Sequence, residues 1–294
     1  MNFRGLAENY PVGHLSTALM RPATYAGHAR EVVSVAQAAI RYPLGLLESA
    51  ITTGQRCGDD THDRPVVLVH GYGHNRSGWH ILNRSLRRAG FTSVHTTNYN
   101  PLRHDIPELG RQLARRIELI RSVTGADRVH VVGHSLGGIL LRWYVEELGG
   151  DDTVHTAITV GSPHEGTHVA GIGLGRTARQ LEPDSAVMRR LAADARPSPV
   201  RWISFYSNLD MLIVPTSSAM LRAPAFDATN ILVKDHGHVG MMTSGLVVRA
   251  VTEQLEAAEG GAGLSPLRSL DASRQQRSGA GVGLSGVEAV EGNG

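Results

Sequence analysis

Six short runs of β-branched and other apolar residues, each closed by glycine, proline or a polar turn, alternate with stretches whose apolar residues recur at helical spacing. The runs at 65–71, 91–99, 127–133, 154–161, 200–207 and 230–235 read as buried strands. The patterns at 76–89, 105–123, 136–148 and 239–258 read as helices. Parallel strands need a crossover between them, and strands apolar on both sides need cover on both sides. The expected class is therefore α/β, a mostly parallel central sheet with helices on both faces.

With 294 residues and 41% hydrophobic side chains, the chain can bury a sizeable core. The formal charge of +2 is spread along the sequence without a basic run, which excludes nucleic acid as an expected partner. Cys57 is the single cysteine, so no intrachain disulfide forms. The first residues lack the uninterrupted apolar segment of a conventional signal peptide, and no run is long and apolar enough to be read as a transmembrane segment. A cytoplasmic or peripheral protein is the expectation.

Residues 1–63 read as an N-terminal helical extension, 64–258 as the main domain and 259–294, rich in glycine and serine, as a disordered tail. Within the extension, apolar spacing predicts a helix from Ala29 to Ala50, broken near Pro43. Its expected role is to pack across the main domain; peripheral contact with a lipid surface is the second reading.

The strand at 127–133 runs directly into Gly133-His134-Ser135-Leu136-Gly137 and then into the apolar helical stretch ILLRWYVEEL. A G-x-S-x-G between strand and helix marks a nucleophilic serine on a tight turn, where side chains at 133 and 137 would collide with the neighbouring backbone. Such a serine needs a base to take its proton and a carboxylate to orient the base. Asp210 follows the strand at 200–207 and is the preferred acid, with Asp184 and Asp235 as alternatives. The base lies beyond the last strand, in HGHVGMM; His236 and His238 both fit by position, and His238, which opens the last helix, is preferred. The backbone N–H of Leu136 and that of Tyr72, in the HGYGHN loop after the first strand, are the expected oxyanion-hole donors.

Taken together and in this order, VVLVHGYGHN, VVGHSLGG, TVGSPHEGT, SNLDMLIVP and GHVGMM resemble the α/β-hydrolase lipases and esterases of bacteria over about residues 64–257. The resemblance implies an α/β-hydrolase fold with a small cap insertion at about 164–199. It implies the same catalytic set, Ser135, Asp210 and His238, with the amides of Tyr72 and Leu136, and a carboxylic ester hydrolase acting on acyl esters or lipids without metal or organic cofactor. An acyltransferase, thioesterase or amidase would use the same residues, and a non-catalytic binding protein on this fold is the rival from another class. In the insertion, Val169, Ile172, Leu174, Leu181 and Met188 are candidates to line an acyl groove or to pack against the domain.

One motif points elsewhere. His164, Glu165 and His168 spell H-E-x-x-H, which on a helix would place two histidines on one face for zinc. Ser162 and Glu165 could cap such a helix, but Gly166 weakens its first turn, and the resemblance assigns the stretch to a Pro-His-x-Gly-Thr element after a strand.

Overall fold

The computed structural model describes residues 22–45, 64–193, 197–222, 226–260 and 269–271. Helix α1 (Pro22–Gly45) precedes the main domain, which continues through β1 (Val66–Val69), α2 (His80–Arg88), β2 (Val94–Thr96), α3 (Ile106–Thr124), β3 (Val129–His134) and α4 (Leu136–Glu147). There follow β4 (Val154–Val160), the short helices α5 (Gly175–Gln180) and α6 (Ala186–Ala193), β5 (Arg201–Ser207), β6 (Ala228–Lys234), α7 (Gly240–Thr243), α8 (Gly245–Glu259) and β7 (Ser269–Asp271). All seven strands are parallel, in the order β2-β1-β3-β4-β5-β6-β7.

The alternation of side chains along each strand divides the core into two layers. Val67 and Val69 of β1 and Val129 and Val131 of β3 face the layer packed by α3 and α4. Val66 and Leu68 of β1 and Val132 of β3 face the layer packed by α2 and α8. Leu68 and Val132 are fully buried, and each such side chain contributes about 1.5–3 kcal/mol by leaving water. At the far end of the sheet, the buried His130 of β3 pairs with Glu259 (Nε2 to Oε1, 2.6 Å), tying the end of α8 to the strand that leads to Ser135.

Strand order decides where a site can form. From β1 the chain first steps outward to β2, then returns to the other side as β3, so connections leave the carboxyl ends of β1 and β3 in opposite directions. The crevice opened there is the ordinary ligand position of an open parallel sheet. The loop holding Tyr72 and the turn holding Ser135 both lie at it.

Six strands and the four main helical stretches fall where the spacing predicts them. The stretch read as one helix at 239–258 is two, because Ser244 interrupts it with extended backbone and caps α8 through Val247 N–H. Helix α1 starts seven residues earlier than expected, at Pro22, and includes Pro43 in its last turns rather than breaking before it. A proline so close to the end costs few helical hydrogen bonds. Residues 46–50 of the expected helix lie outside the described residues, as does Cys57. Within the stretch read as a disordered tail, Ser269–Asp271 forms a seventh strand on the edge of β6; 261–268 and 272–294 lie outside the described residues.

The glycines of the nucleophile turn are dictated by close packing. A Cβ on Gly137 would stand 2.2 Å from the carbonyl oxygen of Val69, and one on Gly133 would stand 2.6 Å from the Gly137 carbonyl carbon and the Gly138 nitrogen. Backbone cannot yield as a side chain can. Gly137→Ala is therefore expected to destabilise the fold by about 3 kcal/mol, read as a lower urea midpoint; a variant as stable as the parent would contradict this packing.

Candidate active site

Ser135 adopts φ 53° and ψ −122°, a left-handed conformation rare for a residue with a Cβ. The turn is held by its flanks: Ser135 N–H donates to Val160 O at 2.9 Å, and Gly138 N–H donates to Ser135 O at 3.0 Å. Its side chain makes no capping bond to α4, which leaves the half-buried hydroxyl available for other partners. Strain of this kind costs on the order of 1–3 kcal/mol and persists only when the surroundings impose it.

Asp210 lies in the turn after β5 and is almost fully buried. Its Oδ1 accepts the amides of Leu212 (2.9 Å) and Ile213 (3.0 Å), which orient the carboxylate, while Oδ2 accepts His238 Nδ1–H at 2.7 Å. A carboxylate can only accept here, so the Nδ1 proton is assigned and the His238 Nε2 lone pair is free to receive another proton. Burial alone would push the imidazole of His238 down. The Asp210 charge and hydrogen bond, with Glu31 adding to them, outweigh burial and leave it above the ordinary histidine range. Gly161, at the end of β4 with φ 57°, makes room for the pair: a Cβ there would come within 3.2 Å of Asp210 Oδ2 and 3.3 Å of His238 Nδ1.

The structure separates the two histidines of HGH. His236 turns back on its own strand, with Nδ1 donating to Lys234 O at 2.7 Å, and burial lowers its pKa. Only His238 meets Asp210. Of the other acids, Asp235 stands at the end of β6 with φ 59° and its carbonyl bound by Arg30, and Asp184 lies in the turn before α6.

The loop after β1 comes up against Ser135. A Cβ on Gly71 would lie 2.9 Å from that of Ser135, so the backbone entering Tyr72 passes directly beside the serine. Leu136 is the first residue of α4, and a helix's first amides have no acceptor within the helix. His70 fixes the loop's other side. Its ring stacks on Tyr99 at 4.1 Å, and its carbonyl accepts the Tyr99 hydroxyl.

Two contributors were not legible in the sequence. His134 Nε2–H donates to His238 O at 3.2 Å, and its ring lies 4.7 Å from that of His238; burial keeps it neutral. Glu31, from α1, accepts the amides of Val239 (2.9 Å) and Gly240 (2.6 Å). No local pattern marks either role, because both partners are more than a hundred residues away.

The H-E-x-x-H spelling does not form a zinc site. His164 is buried, with Nε2 on Thr159 Oγ1 at 3.0 Å; Gly166 takes φ 82°; and the exposed His168 starts a separate 3-10 turn. Glu165 is exposed and faces Arg222 at 3.7 Å. Without one continuous helix the histidines share no face. Among the described residues, no three His, Cys, Asp or Glu side chains are grouped to hold a metal ion. In the insertion, Leu181 and Met188 belong to the main core, whereas Ile172 and Leu174 stand exposed.

Comparisons with known proteins agree with this fold. The family model for palmitoyl protein thioesterase matches residues 65–195. The triacylglycerol lipase of Vibrio cholerae is 31% identical over 152 residues, 49% of this chain and 45% of that one. That of Pseudarthrobacter phenanthrenivorans is 31% identical over 114 residues, 36% and 35% of the two chains. The chain thus spans less than half the length of these curated relatives. Among solved structures, the mature Bacillus licheniformis lipase BlEst2 superposes with a TM-score of 0.59 at 18% identity, over 69% of this chain and 96% of that one. Aspergillus fumigatus lipase B gives 0.55 at 18% identity, over 69% and 57%. The chain thus has the α/β-hydrolase fold of these lipases, a parallel sheet that reverses between β1 and β3 with a strained serine at the reversal, and is similar in sequence to triacylglycerol lipases over part of their length.

Proposed function

We propose that the protein is a serine carboxylic ester hydrolase. The observation that carries the reading is the 2.7 Å bond from His238 Nδ1 to Asp210 Oδ2 at the same sheet edge as the strained Ser135 turn. In this reading Ser135 Oγ attacks the ester carbonyl as its proton passes to His238 Nε2. Asp210 holds the tautomer and stabilises the imidazolium, and the amides of Tyr72 and Leu136 hold the oxyanion. His238 then returns the proton to the leaving alkoxide, and water attacks the acyl-enzyme by the same route.

The substrate class is an acyl ester, and two exposed apolar segments favour a lipid one. Leu174 (72% exposed) is tied to the oxyanion loop through Tyr72 Oη–H to Leu174 O, 2.6 Å. Met211 (69% exposed) directly follows Asp210. An acyl chain, or the surface of a lipid aggregate, approaching the serine would meet both, which supports peripheral lipid contact. No helix among the described residues is long and apolar enough to cross a membrane.

The test is hydrolysis of a p-nitrophenyl ester series of increasing acyl length across pH. Turnover with kcat/KM falling on the acid side, as His238 takes a proton, is expected; the raised position of His238 puts that limb above the ordinary histidine value of about 6.5. No hydrolysis at any length would reject the reading. The match to the palmitoyl protein thioesterase family favours one second reading, a thioesterase, and a higher kcat/KM on the matched thioester would select it.

A further inference from the structure

Helix α1 grips the segment that carries His238 through a row of polar contacts. Its outward residues Val32, Val33 and Ile40 are exposed, whereas Gly27, Glu31 and Ser34, spaced along one face, meet the 235–243 segment. A Cβ on Gly27 would lie 2.8 Å from Asp235 O, Arg30 Nη2 donates to that same carbonyl at 3.0 Å, and Ser34 Oγ lies 2.7 Å from Thr243 Oγ1. At the centre, Glu31 accepts the two amides that follow His238. The glycine before His238 is shaped by this contact too: a Cβ on Gly237 would stand 2.3 Å from Glu31 Oε2.

We propose that Glu31 is a positioning residue for His238: its carboxylate fixes the backbone that carries the imidazole and adds negative charge facing the imidazolium formed during the reaction. This deepens the serine hydrolase reading and rests on it for its chemistry. The charged and titratable groups that bear on His238 are Asp210 and Glu31, together with His74 and His134, both kept neutral by burial. Arg30, Asp235 and His236 lie close by on the two segments that Glu31 joins. A purely structural clamp would hold the loop equally well with a neutral acceptor. A positioning carboxylate also acts through its charge.

The test uses the full chain as wild type, Glu31→Ala and Glu31→Gln. It reads kcat and KM for p-nitrophenyl butyrate, the acid limb of kcat/KM, and the His238 titration by NMR with ¹⁵N-labelled histidine. Glu31→Ala is expected to lower kcat about 10- to 100-fold with KM little changed, and Glu31→Gln to recover part of it through its remaining acceptor. In both variants, losing the negative charge disfavours the imidazolium, so the acid limb and the His238 titration move to lower pH, by about half a unit or more. If both stay in place in the variants, the proposal is overturned, whatever happens to kcat. If Glu31→Ala does not fold, Glu31→Gln decides alone. A wild type that hydrolyses no ester would fail the enzymatic reading, and the NMR shift would still decide the role of Glu31.

Discussion

Ser135→Ala is expected to lower kcat on p-nitrophenyl butyrate on the order of a millionfold, the usual loss when the nucleophile of an intact triad is removed. In the proposed mechanism the covalent route disappears entirely, and the amides of Tyr72 and Leu136, if they hold the oxyanion, can then assist only direct attack by water. The fold should survive. Alanine keeps the Cβ that already occupies φ 53°, Ser135 N–H still reaches Val160 O, and no capping bond is lost, because the serine side chain makes none to α4. Circular dichroism and the thermal midpoint should therefore match the parent while activity vanishes. A variant keeping more than about a thousandth of the rate would place the nucleophile elsewhere.

The strand–turn–helix around Ser135 was legible in the sequence because its signal is local. A β-branched run, two glycines around a serine and an apolar helix lie within some twenty residues, and each constrains the others. The first six strands were legible for the same reason. Ser269–Asp271 was not: three residues of ordinary composition become a strand only because the edge of β6 offers Leu232, Val233 and Lys234 as partners. The start of α1 was hidden because apolar spacing begins several residues after Pro22, although proline in a helix's first turn is itself a start signal.

The choice between His236 and His238 was beyond sequence alone. Both follow β6 within four residues, and what separates them is the left-handed backbone at Asp235, which sends one ring back to Lys234 and lets the other cross the sheet edge to Asp210. The zinc spelling failed for a related reason. Gly166 takes a left-handed conformation that ends the turn begun at His164, so a spacing that would have meant one face of a helix means nothing here.

The second large effect is expected from Asp210→Asn, with kcat falling about ten-thousandfold and little change in stability. The reason lies in how the carboxylate is already bound. Oδ1 accepts two amides, Leu212 and Ile213, so an asparagine must keep its carbonyl oxygen there and turn its NH₂ toward His238. An amide donor facing Nδ1 requires that nitrogen to accept, which moves the ring's proton to Nε2. The base then presents an N–H to Ser135 where it needs a lone pair. Only a minor tautomer can act, and labelling of Ser135 by a fluorophosphonate should slow in parallel with ester hydrolysis, because both need the same proton transfer. A variant within tenfold of wild type would mean that another group orients His238, and the assignment of Asp210 would fall with it.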